Sequence, residues 1–292
     1  MRFGMSGAYL PDDMNELDAV MLRRAREMGF SGIFTRFRVN DPHTTKRQQA
    51  ERVRQLLTDE NMRLFQVTGY WQLLIAPSEP ARLEAVRTLQ AALRLAGWMG
   101  ARAIDTGPGS LNPAGPWYPH PYNWTPDARR QLVKTLKECA PAAEDAGVLL
   151  CLEGHQLVTL ESAAVTAEVL DEVDSPWVKS DYDSANWITL KEIFSTGAAL
   201  DHHFDILGHH IRSCHAKDIW VEHKLALHLQ DGTPGKGMLD FKTLFRRMEA
   251  LDPDYPVIVE GAPTEDLPAV GRLFHRIAGE LGLRVLDAHE VV

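Results

Sequence analysis

The sequence predicts an α/β protein: a closed (β/α)8 barrel of eight parallel strands ringed by helices. Strand-like and helix-like segments alternate along all 292 residues, a length such barrels commonly reach as one domain. Four apolar runs in the second half each end on a metal-ligating residue type: Val148–Glu153, Trp177–Asp183, Ile211–His215 and Pro256–Glu260. Residues on separated strands converge on one point only if the strand ends form a ring, and barrel sites lie at the C-terminal strand ends. An open doubly wound sheet is the alternative, and the convergence of ligand types disfavours it. Residues 1–292 are read as one barrel domain.

The elements follow in order. The first strand lies near Phe3–Gly7. A helix over about Asn15–Met28 follows, with Leu17, Val20, Met21, Ala25 and Met28 at helical spacing. Gly32–Phe37 is the second strand, and Arg47, Ala50, Val53, Leu56 and Leu57 mark the next helix. Arg63–Gly69 is the third strand and Glu79–Met99 the third helix. Ala103–Gly107 is the fourth strand. Thr125-Pro126-Asp127 then opens a helix, with Thr as N-cap and Pro in the first turn. The four ligand-bearing runs complete eight strands. Helices near Leu160–Val173, Phe241–Leu251 and Asp266–Leu281 accompany them, and Leu190–Gly208 reads as a short helix plus loop.

Bulk properties narrow the function. Hydrophobic residues at 45% and charged residues at 24% are ordinary for a globular chain. A net charge of −9 argues against a sequence-independent grip on nucleic acid. Cys139, Cys151 and Cys214 form an odd set without CxxC spacing, so no disulfide framework is expected. The first residues lack the apolar core of a signal peptide, and no stretch reaches transmembrane length. A cytoplasmic location with no membrane partner is the expectation.

A parallel strand buried on both faces is mostly apolar, so a charged group at its end needs a partner. Glu153, a sixth-strand aspartate, His215 and Glu260 offer three carboxylates and one imidazole for one divalent cation. Such a set suits Mn²⁺ first, with Mg²⁺, Co²⁺ and Zn²⁺ as alternatives. Asp181 and Asp183 compete because side chains repeat every two residues. Asp183 is preferred, being nearer the strand end with Asn186 three residues on. Asp181 then sits deeper, where Lys179 is a candidate partner. Cys151 is expected inside the barrel and Cys214 outside it.

These residues carry a resemblance. Leu152-Glu153-Gly154-His155, Asp183-Ser184-Ala185-Asn186, His215-Ala216-Lys217-Asp218 and Gly235-Lys236-Gly237 with Asp240-Phe241 occur in the order found in the xylose isomerase-like TIM barrel superfamily, and Glu260 closes the set. The chain resembles that superfamily of sugar isomerases, epimerases and related enzymes over nearly its whole length. The resemblance implies Glu153, Asp183, His215 and Glu260 as metal ligands. It implies a metal-dependent sugar isomerase or epimerase moving a proton next to a carbonyl of a keto-sugar or related polyol. Glu153 and Glu260 are the candidates to take and return the proton. His155, Asn186 and Lys217 are candidate substrate contacts, although Lys217 can instead pair with a carboxylate. Homo-oligomers are common among such enzymes.

The loop Trp117–Trp124 concentrates aromatics after the fourth strand, and Trp71 and Trp187 follow the third and sixth. Aromatic faces pack on sugar C–H faces, so Trp117 and Trp124 are expected to wall the substrate site. The segment Ile219–Leu239 is a candidate second lid, with His223 and His228 as possible contacts. A lyase or dehydratase on the same scaffold, of the inosose dehydratase or 3-keto-glycoside type, starts with the same proton abstraction and is the main alternative. An endonuclease IV-like nuclease would need histidines this chain lacks: Asn186 stands where one is required, and no Asp-x-His lies in the segment just after His215. A non-catalytic sugar-binding barrel would not need a complete ligand set.

Overall fold

The computed structural model describes residues 1–7, 9–68, 72–225 and 229–291. Short apolar runs form its strands: β1 (Arg2–Met5), β2 (Gly32–Thr35), β3 (Arg63–Val67), β4 (Ala103–Thr106), β5 (Leu149–Glu153), β6 (Val178–Asp183), β7 (Ile211–Ala216) and β10 (Pro256–Val259). These eight pair in parallel and close into a barrel, with β10 bonded to β1 and β7. β8 (Asp218–Val221) and β9 (Leu229–Gly232) pair antiparallel outside the barrel. They lie in the segment read from the sequence as a lid. The Asp-Ile-Trp-Val run of β8 alternates too briefly to separate a strand from a loop.

The helices are α1 (Ala19–Glu27), α2 (Arg47–Asp59), α3 (Glu79–Met99), α4 (Pro126–Ala146), α5 (Ala163–Val173), α6 (Thr196–Leu207), α7 (Phe241–Leu251) and α8 (Leu267–Glu280). Side-chain caps set the starts of α1, α3, α4, α5 and α7. Asp18 accepts the Met21 N–H at 2.9 Å, so α1 begins at Ala19 rather than near Asn15. Ser162 does the same for α5, moving its start from Leu160 to Ala163. Thr125 caps α4 as its sequence implies. Gly100 and Gly147 end α3 and α4 at φ of 73° and 63°, a backbone region open to glycine. The uncertain stretch before Gly208 is a 3₁₀ turn leading into α6.

Two apolar layers hold the barrel. Phe3, Phe245 and Phe274 pack between strands and helices, with ring centroids 5.1–5.3 Å apart. Inside, Phe65 fills space that side chains on β1 and β2 would otherwise need. A Cβ at Gly4 or Gly32 would sit 2.7 or 2.3 Å from its ring. All three cysteines are buried and unpaired. Among the described residues, no helix is long and apolar enough to cross a membrane.

The N-terminal end of the barrel is clamped by one carboxylate. Asp254 pairs with Arg2 at 2.6 Å, Arg63 at 3.0 Å and Arg102. These arginines stand at or just before the starts of β1, β3 and β4. Arg2 is fully buried and also donates to the main-chain carbonyls of Asp287, Ala288 and Glu290, tying down the C-terminal segment.

Burial opposes ionisation of Asp254, yet the arginines hold its pKa down at about 2. Because the folded value lies below that of a free carboxyl, this stabilisation is present above the ordinary carboxylate pKa. It is lost as pH falls through about 2. Asp254→Asn is expected to cost roughly 1–3 kcal/mol at neutral pH. It should also remove that part of the acid-dependent loss, as read by denaturant titrations across the acidic range.

Candidate metal centre and substrate cavity

A register shift aligns the acids with the imidazole. The β6–β7 pairing slips between Ser180 and Asp181, which sets Asp181 beside Ser213 and Asp183 beside His215. β5 delivers Glu153 as its last residue, and Glu260 directly follows β10. Glu153, Asp183, His215 and Glu260 thus present ligand-type atoms within 4.8 Å of one another. Glu153, Asp183 and His215 are buried, while Glu260 is partly exposed. The carboxylates converge from β5, β6 and β10, as the strand-end pattern requires.

His215 is held from behind. Its Nε2 lies 2.7 Å from Gln66 Oε1, and Gln66 Nε2 donates to Asp181 Oδ1 and Ser213 Oγ at 2.9 Å. Its Nδ1 faces Asp181 Oδ2 at 3.1 Å and Glu260 Oε2 at 3.3 Å, but makes no hydrogen bond. A buried imidazole nitrogen without a hydrogen bond, aimed among carboxylates, is the arrangement a divalent cation satisfies. Lys217 Nζ approaches the same carboxylates: 2.6 Å from Asp183, 3.0 Å from Glu260 and 3.7 Å from Glu153. Arg36 Nη2 also pairs with Glu260 Oε1 at 3.0 Å, so two cations face these three carboxylates and, with His215 neutral, one negative charge remains for a metal ion to meet.

The charge states follow from burial and neighbours. Burial pushes Asp183 up to about 7 despite the pull of Lys217. Burial also raises Asp105 well above the carboxylate range, and the charge of Glu153 adds to it. For Glu260 burial acts upward, but Lys217 and His215 hold it well below its ordinary value. Glu153 is likewise lowered, chiefly by Lys217 acting against burial. Burial disfavours the charged forms of His215 and Lys217, yet the surrounding carboxylates carry both upward.

A cavity of about 440 Å³ opens over this cluster. Glu153, His155, Asn186, Lys217, Glu260 and Trp117 all line it. Asn186 Nδ2 donates to Glu153 Oε1 at 2.8 Å, fixing that carboxylate. His155 Nδ1 accepts the Leu157 N–H at 3.1 Å, which assigns any ring proton to Nε2 when the ring is neutral. Gly107 makes room for the Trp117 indole: a Cβ there would lie 2.6 Å from the ring.

Other expected residues lie elsewhere. Trp124 is exposed outside the cavity lining, its indole N–H 3.4 Å from the Gln156 carbonyl. Trp187 is buried behind β6, donating to Leu160 O at 3.1 Å and packing on Tyr182 and His203. His223 is exposed. Trp71 and His228 lie outside the described residues. Asp181 pairs with Gln66 and Ser213 rather than Lys179, whose pKa is lowered by burial and by repulsion from Arg212.

Sequence reasoning missed Gln66 and Asp105, polar groups inside the apolar runs of β3 and β4, and the cavity-lining Arg36, Arg38 and Asp231. The first pair carried a usable signal, since a polar residue within a strand buried on both faces needs a partner. The second group had none, because loop arginines and aspartates are common on surfaces. Asp218 explains the His-x-Lys-Asp and Gly-x-Gly spacing. Its carboxylate accepts the N–H groups of Gly235, Gly237 and Leu239 at 2.7–2.9 Å.

Comparison with known proteins agrees with this architecture. No curated protein sequence matches the chain. Solved structures similar to it include a 3-keto-D-glucoside 4-epimerase from E. coli, at 19% identity and TM-score 0.70, covering 97% of this chain and 99% of that one. Another is a D-psicose 3-epimerase from Clostridium cellulolyticum, solved with D-tagatose, at 15% identity and TM-score 0.72 over 97% and 100% of the chains. A third is a barrel protein from Mycobacterium smegmatis in complex with magnesium, at 16% identity and TM-score 0.70 over 96% of each chain. At such identities the likeness establishes the fold. A family model described as xylose isomerase-like TIM barrel matches residues 22–275, and the chain belongs to that family.

Proposed function

We propose that this protein is a divalent-metal-dependent sugar isomerase or epimerase. It would move a proton next to the carbonyl of a keto-sugar or related polyol. The observation that carries this reading is the convergence of Glu153, Asp183, His215 and Glu260 beneath one cavity. Two of the structural neighbours bear the names of sugar epimerases, which supports the same class. Glu153, Asp183, His215 and Glu260 would hold the cation, Mn²⁺ by donor chemistry with Mg²⁺ as the alternative. When bound, the cation supplies positive charge for the substrate oxygens on which negative charge develops.

The residues supply the rest. Glu153 or Glu260, each held ionised by Lys217, accepts the proton from the carbon beside the carbonyl, and the C–H electron pair moves toward the carbonyl oxygen. Return of a proton to the opposite face inverts that carbon; return to the neighbouring carbon isomerises the sugar. The returning group must hold a proton, so the two carboxyls must share one between them during turnover. His155 presents its Nε2–H to substrate hydroxyls, Asn186 keeps only its Oδ1 for them because both its N–H groups are donated to Glu153 and Gly154, and Trp117 offers a face to the ring. A lyase is the second reading. Asp105 lines the cavity, and burial favours the protonated form of its carboxyl, which gives it a proton to donate to a departing hydroxyl. Incubation with a panel of keto-sugars and Mn²⁺, read by NMR, separates isomerised from eliminated products.

The purified protein is expected to hold one divalent cation per chain by elemental analysis. Asp183→Asn and His215→Asn should each empty the site, and occupancy should fall as pH drops below about 7, where Asp183 takes up a proton. Full metal content in both variants would refute the assignment.

Glu153→Gln and Glu260→Gln should each lower turnover by at least about a hundredfold, the scale of losing a general acid or base. Exchange of the substrate proton with D₂O should slow in at least one of them. Normal turnover and exchange in both would remove the proton-transfer role.

Trp117→Ala should weaken substrate binding by about 1–3 kcal/mol with metal content unchanged. An unaltered KM across the sugar panel would show that the indole packs only on the protein.

A further inference from the structure

The opposite end of the barrel carries a second cavity with inverse chemistry. It measures about 540 Å³ and lies among the strand starts. Its polar lining includes Arg54, Arg63, Arg102 and His289, and no Asp or Glu. The whole chain carries −9, so a cavity lined by three arginines and no carboxylate runs against its composition.

Local charges do not cancel there. Asp254 is the shared acid of this end, yet Arg2, Arg63 and Arg102 all draw on it. Burial holds Arg63 below the ordinary guanidinium value, and repulsion from Arg2 and Arg102 adds to this while Asp254 resists. The Arg54 guanidinium has no hydrogen bond or ion pair among the described residues. Its stem lies beside Gly100, where a Cβ would come within 3.2 Å of it. Arg102 lies over one ring, that of Tyr255, at 5.2 Å, which fixes its plane. Trp177, Met99 and Leu57 supply an apolar wall beside these donors.

We propose that this cavity is a binding site for a phosphate monoester, separate from the metal centre. The phosphoryl dianion would sit among Arg54, Arg63 and Arg102, whose forked N–H groups match its oxygens. The organic portion would lie along Trp177 and Met99. A dianion neutralises the excess positive charge that Asp254 leaves, and the volume exceeds what inorganic phosphate fills.

Isothermal titration of the full-length protein tests this with three probes: inorganic phosphate, phenylphosphonate as a stable monoester mimic, and benzoate as a monoanion with the same ring. Phenylphosphonate should bind saturably and at least about tenfold more tightly than either other probe, a gap of about 1.4 kcal/mol. Arg54→Gln and Arg63→Gln should each weaken it by about tenfold or more. Arg47→Gln, the same charge change earlier on α2, should leave it unchanged. Arg63 also pairs with Asp254, so Arg54→Gln decides the question if Arg63→Gln does not fold. Three results overturn the proposal: no saturable phenylphosphonate binding, benzoate binding as tight, or affinity that Arg54→Gln leaves intact. Inorganic phosphate binding as tightly as phenylphosphonate overturns the monoester assignment.

Discussion

Burial of more carboxylate than the protein can neutralise is the constraint on which the site end of the barrel depends. Glu153, Asp183 and Glu260 meet with Asp181 and Asp105 just below, and all but Glu260 are nearly or fully excluded from water. Lys217 and His215 are placed among them, and Arg36 pairs with Glu260 at 3.0 Å. Isolated buried charges are costly, so acids in such a cluster must find cations or take up protons. Both remedies occur. Asp105 and Asp183 move toward the neutral form, while Glu153 and Glu260 stay ionised beside Lys217. The imbalance makes the cluster receptive to an additional cation and keeps two carboxylates ready to accept protons.

The barrel separates charge along its axis. Acids gather where the strands end, and arginines gather where they start, around Asp254. Parallel strands make this separation natural, since every strand presents its N-terminal residue to one face and its C-terminal residue to the other. Between the two charged ends the interior is filled by Phe34, Phe65 and Ile258. An apolar plug of low polarisability screens the two ends from each other only weakly.

The sequence disclosed the parts of the site that interrupt a pattern. Glu153, Asp183, His215 and Glu260 each break an apolar run at its end, and the alternation of eight such runs with helices implies the ring that joins them. Caps such as Thr125-Pro126 were readable because the first turn of a helix needs side-chain acceptors. What escaped depends on contacts made across the chain. Trp117 and Trp124 occupy the same loop and look alike in sequence, yet Trp117 reaches the cavity because Gly107 leaves space for its ring. Trp187 turns into the core because Gly154 and the Leu160 carbonyl receive it. The antiparallel pair β8–β9 owes its place to Asp218, whose carboxylate gathers three N–H groups from the following loop.

The competition between Asp181 and Asp183 shows how a small irregularity assigns chemical roles. Strand periodicity puts both on the inner face, and both lie near His215. The slip between Ser180 and Asp181 places Ser213 beside the first aspartate, and Gln66 reaches it from β3. Asp181 therefore spends one oxygen on neutral donors that fix its position beneath the imidazole. Asp183, one layer higher, accepts the main-chain N–H of Ala185 at 2.8 Å through Oδ1 and directs Oδ2 at Lys217. Without the slip, Asp181 would face Arg212 in place of Ser213, and the deep acid would acquire a charged partner. The bulge thus leaves the lower acid to orient His215 and frees the upper one to face a cation.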